Sequence, residues 1–339
     1  MTRREFVIKA LNHIETETIP YNVEFCIEEL NKLIKHTGNP DFQNGIGNFM
    51  AAAGAGTVRE IKPGYFQDEF GVVWNRTKEK DIGVIESFII DNPDCYTYKF
   101  PPIDEKLIRG RIERLLAVKA DKFSRFSIGF SLFERAWTLR GMENLLIDFI
   151  ENPEFVHRLM RDITDYNLKH IEIACSYPGL DAVMFGDDWG QQKGLIMGPK
   201  LWREFIKPYL KQMYGYVKSK NKYILQHSCG DIEEIMPDVI ECGLDCYQTF
   251  QPEIYDIKKI KKEYGGKLSF WGGISTQFIL AHGTPEDVRR VCVETIRIMR
   301  KGGGYIAAPT HSVPPDVPAE NILAMLEVFQ NQQLYVKGT

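Results

Sequence analysis

The sequence contains no apolar run approaching the roughly eighteen residues that a membrane-crossing helix needs, so no span is expected. It also lacks a surplus of basic charge. Its 42 Lys and Arg stand against 46 Asp and Glu, a formal net charge of −4 with the signs interspersed. That balance offers no footprint for nucleic acid or an anionic membrane surface. Cysteine is sparse, odd in number and irregularly spread, at positions 26, 95, 175, 229, 242, 246 and 292. A disulfide framework is therefore excluded, and a reducing cytoplasm is the expected compartment. Repeats, low-complexity tracts and linkers are absent, which leaves one domain over 1–339. The opening Met1-Thr2-Arg3-Arg4-Glu5 leads into an amphipathic helix and lacks the apolar centre of a signal peptide.

What is present reads as an ordinary globular chain, with 44% apolar and 26% charged residues over 339 positions. After the first helix, Tyr21 to Cys26 reads as a short strand following Pro20, and Ile46 to Ala51 as a second. The stretch 61–102 breaks the rhythm. Asp68-Glu69-Phe70-Gly71-Val72-Val73-Trp74 and Ile82-Gly83-Val84-Ile85 read there as a β-hairpin insertion. Strand-like runs then recur at Phe123–Phe130, Asp181–Gly186, Tyr223–Gln226, Cys246–Phe250, Leu268–Trp271 and Tyr305–Ala308. Between them lie helical segments or short connectors, with Pro153–Cys175 and Pro199–Lys218 the clearest helices. Thr284 followed by Pro285 starts another, with a capping hydroxyl and proline at N1. Eight strands alternating with helices predict an α/β fold, a single (β/α)8 TIM barrel with an N-terminal β-hairpin insertion. A doubly wound open sheet is the competing architecture.

The strongest local signal is Gln226-His227-Ser228-Cys229-Gly230 at the end of an apolar strand. Residues two apart on a strand share a face, so His227 and Cys229 project together. An imidazole and a thiolate so placed can chelate one borderline-soft cation, and such N/S ligand sets favour zinc. The plain alternative is a core cysteine beside a hydrogen-bonded histidine. Position favours the metal, because chemistry in parallel barrels collects at the C-terminal strand ends. Other strands deliver polar groups there too: Asp187 and Asp188, Glu134, and His311 after the last strand.

These motifs resemble the uroporphyrinogen decarboxylase superfamily, within it the branch of corrinoid-dependent methyltransferases. The resemblance is carried by Leu11-Asn12-His13, Asp68-Glu69-Phe70-Gly71, Phe133-Glu134-Arg135-Ala136-Trp137, Gly186-Asp187-Asp188 and His227-Ser228-Cys229-Gly230. Gly302-Gly303-Gly304-Tyr305, Pro309-Thr310-His311 and Asp316-Val317-Pro318-Ala319-Glu320-Asn321 extend it to the end of the chain. It implies a (β/α)8 barrel with one zinc per chain on His227 and Cys229. The family's third ligand is a later cysteine, where this sequence has His311, a competent ligand or a general acid. The resemblance also implies a methylcobamide or cobalamin cofactor. No Asp-x-His-x-x-Gly corrinoid motif is present, so a separate corrinoid protein is the implied partner. A small methyl donor or thiol acceptor is the implied substrate, and a homodimer is compatible.

Among the remaining candidates, Asp187 and Asp188 read as a further metal ligand or catalytic base, with helix capping as the plain alternative. Glu134 reads as a catalytic or substrate-binding acid, or as a rim partner of Arg135. Trp271, Tyr21 and Glu24 are placed at the substrate face, with Gly272 and Gly273 leaving room for a bulky ligand. Cys242 and Cys246 read as buried structural residues. His13, His36, His157 and His170 read as surface positions on helices. Arg125, Arg135 and Arg140 are too few to hold an octacarboxylate porphyrinogen, which needs several converging guanidinium groups. A metal-independent decarboxylase and a non-catalytic metal- or corrinoid-protein-binding barrel remain the alternatives.

Overall fold

Short runs of aliphatic and aromatic residues bounded by turns form strands, and runs covered on both faces form parallel ones. The computed structural model describes residues 1–78 and 80–336. In chain order the strands begin with β1 (Met50–Gly54), β2 (Val58–Lys62), β3 (Tyr65–Asp68), β4 (Val73–Asn75) and β5 (Val84–Ile85). Next come β6 (Phe123–Ile128), β7 (Ala182–Gly186), β8 (Gly190–Gln191), β9 (Gly194–Leu195) and β10 (Tyr223–His227). The last are β11 (Cys246–Phe250), β12 (Ser269–Ile274) and β13 (Tyr305–Pro309). Strands β1, β6, β7, β10, β11, β12 and β13 form one sheet in that order, following the chain. This is the (β/α)8 TIM-barrel class, with helices intervening between successive parallel strands. No helix among the described residues is long and apolar enough to cross a membrane.

The insertion is larger than a hairpin and starts earlier than 61. Strands β2 to β5 make a four-stranded antiparallel sheet. Its central turn is the Asp68–Gly71 segment itself, where Asp68 Oδ1 accepts from Phe70 N at 3.0 Å and Val72 N at 2.9 Å. Gly71 has φ +91°, a conformation that side chains disfavour. The helix Pro153–Cys175 is continuous, whereas the segment expected to be helical over 199–218 breaks into Gly198–Phe205 and Lys207–Ser219. Pro208 causes the break: it has no N–H for the preceding turn, and its ring crowds the carbonyl four residues back. Thr284 caps the helix Pro285–Met299 with a reciprocal bond to Asp287.

Cα proximity divides the chain into two compact units, each discontinuous in sequence. One comprises Met1–Ala51, Lys119–Ser124 and Asp245–Thr339, the other Ala52–Val118 and Arg125–Leu244. In the first unit, the expected strand at Tyr21–Cys26 is reduced to isolated parallel bridges, Tyr21 to Ala307 and Phe25 to Val313. It still occupies a strand position beside β13. Asn22 N donates to Ala307 O and Val313 N to Glu24 O, while Phe49 N donates to Tyr21 O on the other side. Side-chain amides replace part of the ladder. Asn48 accepts from Val23 N and donates to Val23 O, both at 2.8 Å, and Asn22 Oδ1 accepts from Met50 N.

Val23 is fully buried, so its backbone groups depend on Asn48. Asn48→Ala leaves the buried Val23 N–H unmet, at about 1–3 kcal/mol, and leaves Val23 O only the long 3.5 Å bond from Gln43 Nε2. Urea unfolding of this variant should show a loss of about 2–4 kcal/mol, against less than about 0.5 kcal/mol for the exposed Asn44→Ala. Equal stabilities would refute the role given to Asn48.

Candidate metal centre

Register sets the site. Within the unit of Ala52–Val118 and Arg125–Leu244, Ile128 of β6 pairs with Phe185 of β7, and His227 of β10 with Gly186 of β7. Residues following these strands therefore emerge at one level. His227 ends β10, and Cys229 lies two residues on with its side chain on the same side. The imidazole Nε2 stands 3.6 Å from Cys229 Sγ. Asp188, after β7, brings Oδ1 to 3.4 Å from the same Nε2 and accepts Cys229 N at 2.7 Å.

These three groups set one another's charge. Burial disfavours a charged His227, yet Asp188 and Cys229 raise its pKa well above the ordinary value. Burial likewise opposes a charged Asp188, but its bonds with His227 and the Cys229 N–H bring it down to about 2. Burial pushes the Cys229 thiol up, with His227 acting in the opposite direction. Without a cation, the trio is an imidazolium held by a carboxylate beside a thiol. Replacing the proton with a metal would satisfy all three.

Two glycines make the geometry accessible. A Cβ on Gly230, whose φ is +78°, would lie 2.1 Å from the carbonyl carbon of Gly190. A Cβ on Gly190 would lie 2.6 Å from Asp231 N and from the carbonyl carbon of Gly230. The loops after β7 and β10 therefore touch backbone to backbone, and Asp231 N donates to Gln191 O at 2.8 Å.

Asp187 is placed as a helix cap, the alternative weighed for it in the sequence. It is fully buried, and its carboxylate accepts from Leu132 N, Phe133 N, Glu134 N and Trp189 Nε1 at 2.6–3.2 Å. It caps the helix Phe133–Arg140 across the sheet, which uses up its acceptors. Burial pushes its pKa up to about 6, against the pull of those donors. Glu134 sits on the first turn of that helix, and burial with Asp188 and Asp187 nearby drives its carboxyl well above the usual range. Its expected rim partner is engaged elsewhere: Arg135 pairs with Asp68 at 3.0 Å and covers the Phe70 ring.

In the other unit, His311 follows β13 and is exposed. Two expectations for the substrate face, Tyr21 and Trp271, change there. Tyr21 is a core residue, its ring between Phe49 and Phe329 and its hydroxyl donating to Ile46 O at 2.8 Å. Trp271 is buried within β12, and the glycines after it leave no space. A Cβ on Gly272 would lie 2.8 Å from Phe250 N, and one on Gly273 would lie 2.9 Å from the Tyr305 hydroxyl. Glu24 is half-buried and accepts from Asn22 Nδ2 at 3.2 Å. Cys242 and Cys246 are buried as expected.

Sequence reasoning also misplaced His170 and His157. His170 is only 5% exposed, and His157 packs on Phe205 and bonds Tyr209. The spacing Leu159, Ile163, Tyr166, His170, Ile173 puts His170 on the apolar stripe of its helix, a signal that was there to read.

Residues 128–332 match the family model for uroporphyrinogen decarboxylase (URO-D). A uroporphyrinogen decarboxylase from Coxiella burnetii is 24% identical over 184 residues, covering 53% of this chain and 48% of the relative. The match thus spans about half of that relative's length. Methylcobamide:CoM methyltransferase MtaA from Methanosarcina barkeri is 27% identical over 131 residues, 39% of this chain and 36% of that protein. Among solved structures, a methyltransferase from Methanosarcina mazei superposes with a TM-score of 0.75 at 16% identity. That superposition covers 98% of this chain and 99% of the other, a likeness of fold. With the family model matched over more than half of its residues, the chain belongs to the uroporphyrinogen decarboxylase family.

Proposed function

We propose that this chain is a zinc-dependent methyltransferase that moves a methyl group between a small substrate and a corrinoid. The substrate is of the methyl ether, methylamine or thiol type. The corrinoid, a methylcobamide or cobalamin, is carried by a partner protein. The reading treats 1–339 as one barrel domain working in the cytoplasm.

One observation carries it: the spacing of His227 Nε2 and Cys229 Sγ. Zinc–nitrogen and zinc–sulfur bonds of about 2.0 and 2.3 Å at a tetrahedral angle put the two ligand atoms about 3.5 Å apart. The observed separation is 3.6 Å. The same construction with an oxygen ligand gives about 3.4 Å between nitrogen and oxygen. Asp188 Oδ1 stands 3.4 Å from Nε2. We therefore assign His227, Cys229 and His311 as ligands, with Asp188 as the oxygen ligand that completes four. A zinc held there would supply a Lewis acid that polarises an ether oxygen or holds a thiol as thiolate. Glu134 would keep a proton beside it for the leaving or attacking heteroatom, since burial and its two acidic neighbours favour its neutral form.

The second reading is a metal-independent decarboxylase, which the family model and the Coxiella burnetii relative favour. The arginines speak against it. Arg135 pairs with Asp68, and Arg140 is bound to Asp148 and to the carbonyls of Ile90 and Asp91. Arg125 donates to Ser127 Oγ and Met184 Sδ. A third reading, a non-catalytic metal- or corrinoid-protein-binding barrel, parts from the first by turnover.

Elemental analysis of purified protein should find about one zinc per chain, lost when His227→Ala and Cys229→Ser are combined. Mild chelation should remove the metal and leave the thermal transition in place, because the core does not depend on it. Full metal in the double variant, or unfolding on chelation, would contradict a catalytic zinc site.

His311→Ala should weaken zinc binding, and His311→Cys should largely restore it. If His311→Ala keeps its zinc and instead loses about a hundredfold or more in rate, the residue is a general acid and not a ligand.

A further inference from the structure

A second site lies in the unit of Ala52–Val118 and Arg125–Leu244, in a cavity of about 390 Å3. Its lining includes none of His227, Cys229, Asp187, Asp188 or Glu134. The volume falls within the range of small-molecule sites. The residues after β1 and β6, the Asp68–Phe70 turn and one face of the helix Pro153–Cys175 enclose it. Phe70, Trp74, Phe130 and Tyr166 place four aromatic rings on the wall. Trp74 and Phe130 lie with ring centroids 5.5 Å apart, tilted by 37°.

The polar groups on this wall are unevenly spent. Arg135 is balanced by Asp68, and Asn167 donates to Ser131 O. His170 is 5% exposed and sets Nδ1 3.2 Å from Tyr166 O, a contact that requires the hydrogen on that nitrogen. Its Nε2 is left with a lone pair and no partner among the described residues, and burial lowers its pKa. Glu69 uses Oε2 for Thr57 N and Oγ1 at 2.8 and 3.2 Å, while Oε1 accepts nothing among the described residues. The unspent groups are thus two acceptors, one of them a carboxylate, beside aromatic faces. Such a surface attracts a hydrogen-bond donor that carries positive charge. The guanidinium groups on the wall are engaged elsewhere: Arg76 donates to Ile82 O and lies over the Phe66 ring, and Arg135 pairs with Asp68.

We propose that this cavity binds a small organic cation, a protonated amine on a flat apolar body, with the ammonium between Glu69 and His170. The site is separate from the metal centre and does not depend on zinc.

Titration calorimetry of the full chain at neutral pH tests this with phenethylammonium, the neutral isostere phenethyl alcohol and the anion hydrocinnamate. Phenethylammonium should bind about tenfold or more tightly than the alcohol, and hydrocinnamate should not saturate. Glu69→Gln, which keeps an oxygen for Thr57, should cost the ammonium about tenfold and leave the alcohol within about twofold. His170→Leu should weaken the ammonium likewise, guarding against a local fold effect of the first variant. The combined His227→Ala, Cys229→Ser variant should bind the ammonium unchanged. Failure of phenethylammonium to saturate at millimolar concentration would overturn the assignment. So would equal binding of alcohol and ammonium, tight binding of the anion, or loss of binding in the metal-site variant. Zinc content is read separately, so these outcomes leave the metal assignment untouched.

Discussion

The site rests on one buried carboxylate. Asp187 lies in a dry environment that would expel an isolated charge, and it stays because four N–H groups point at it. Three of those donors are the opening amides from Leu132 to Glu134, which have no partner within the helix Phe133–Arg140. One side chain thus offsets its own desolvation and the helix's unmet donors together. The consequence is positional. The end of β7, the start of that helix and the Trp189 ring are fixed to a single point. Asp188 and Glu134, each bonded to this point or adjacent to it, inherit their places from it.

A metal at the proposed centre would compete with a proton for the same ligands. Asp188 and Cys229 make His227 a strong base for a half-buried imidazole, so any cation must displace a proton that the site itself holds. Occupancy of the proposed site would therefore be coupled to pH through its ligands. The carboxylate that strengthens the proton's hold is also the oxygen best placed to strengthen the metal's.

Much of the architecture was legible in the sequence because parallel strands announce themselves. The runs at 181–186, 223–226 and 246–250 are predominantly apolar or aromatic and end in polar turns, and each lies within a residue of the observed strand. Tyr21–Cys26 was readable as a strand but not as a reduced one, because the bonds that replace its ladder come from Asn22 and Asn48. Side-chain partners distant in sequence leave no periodic trace. The break at Ile206 was legible and passed over, since the proline that causes it falls inside a strong amphipathic pattern. At the site, His227 and Cys229 followed from the two-residue period of a strand. Spacing could not separate Asp187 from Asp188, since adjacent carboxylates look alike until one meets a helix end and the other a histidine. Trp271, Gly272 and Gly273 misled for a related reason: glycine signals close approach without saying whether the neighbour is a ligand or, as here, the backbone of β11.

The meeting of Gly190 and Gly230 bears on how this chain can diverge. The two residues occupy each other's side-chain volume, so neither position can acquire a substituent while the other stays where it is. Two codons forty residues apart are thereby bound into one inherited trait. A lineage that altered either would have to re-route both loops in the same step, and with them the residues that carry Asp188 and Cys229. Such a pair should drift more slowly than the strands that support it, and its loss in a descendant would mark a chain that has given up this chemistry.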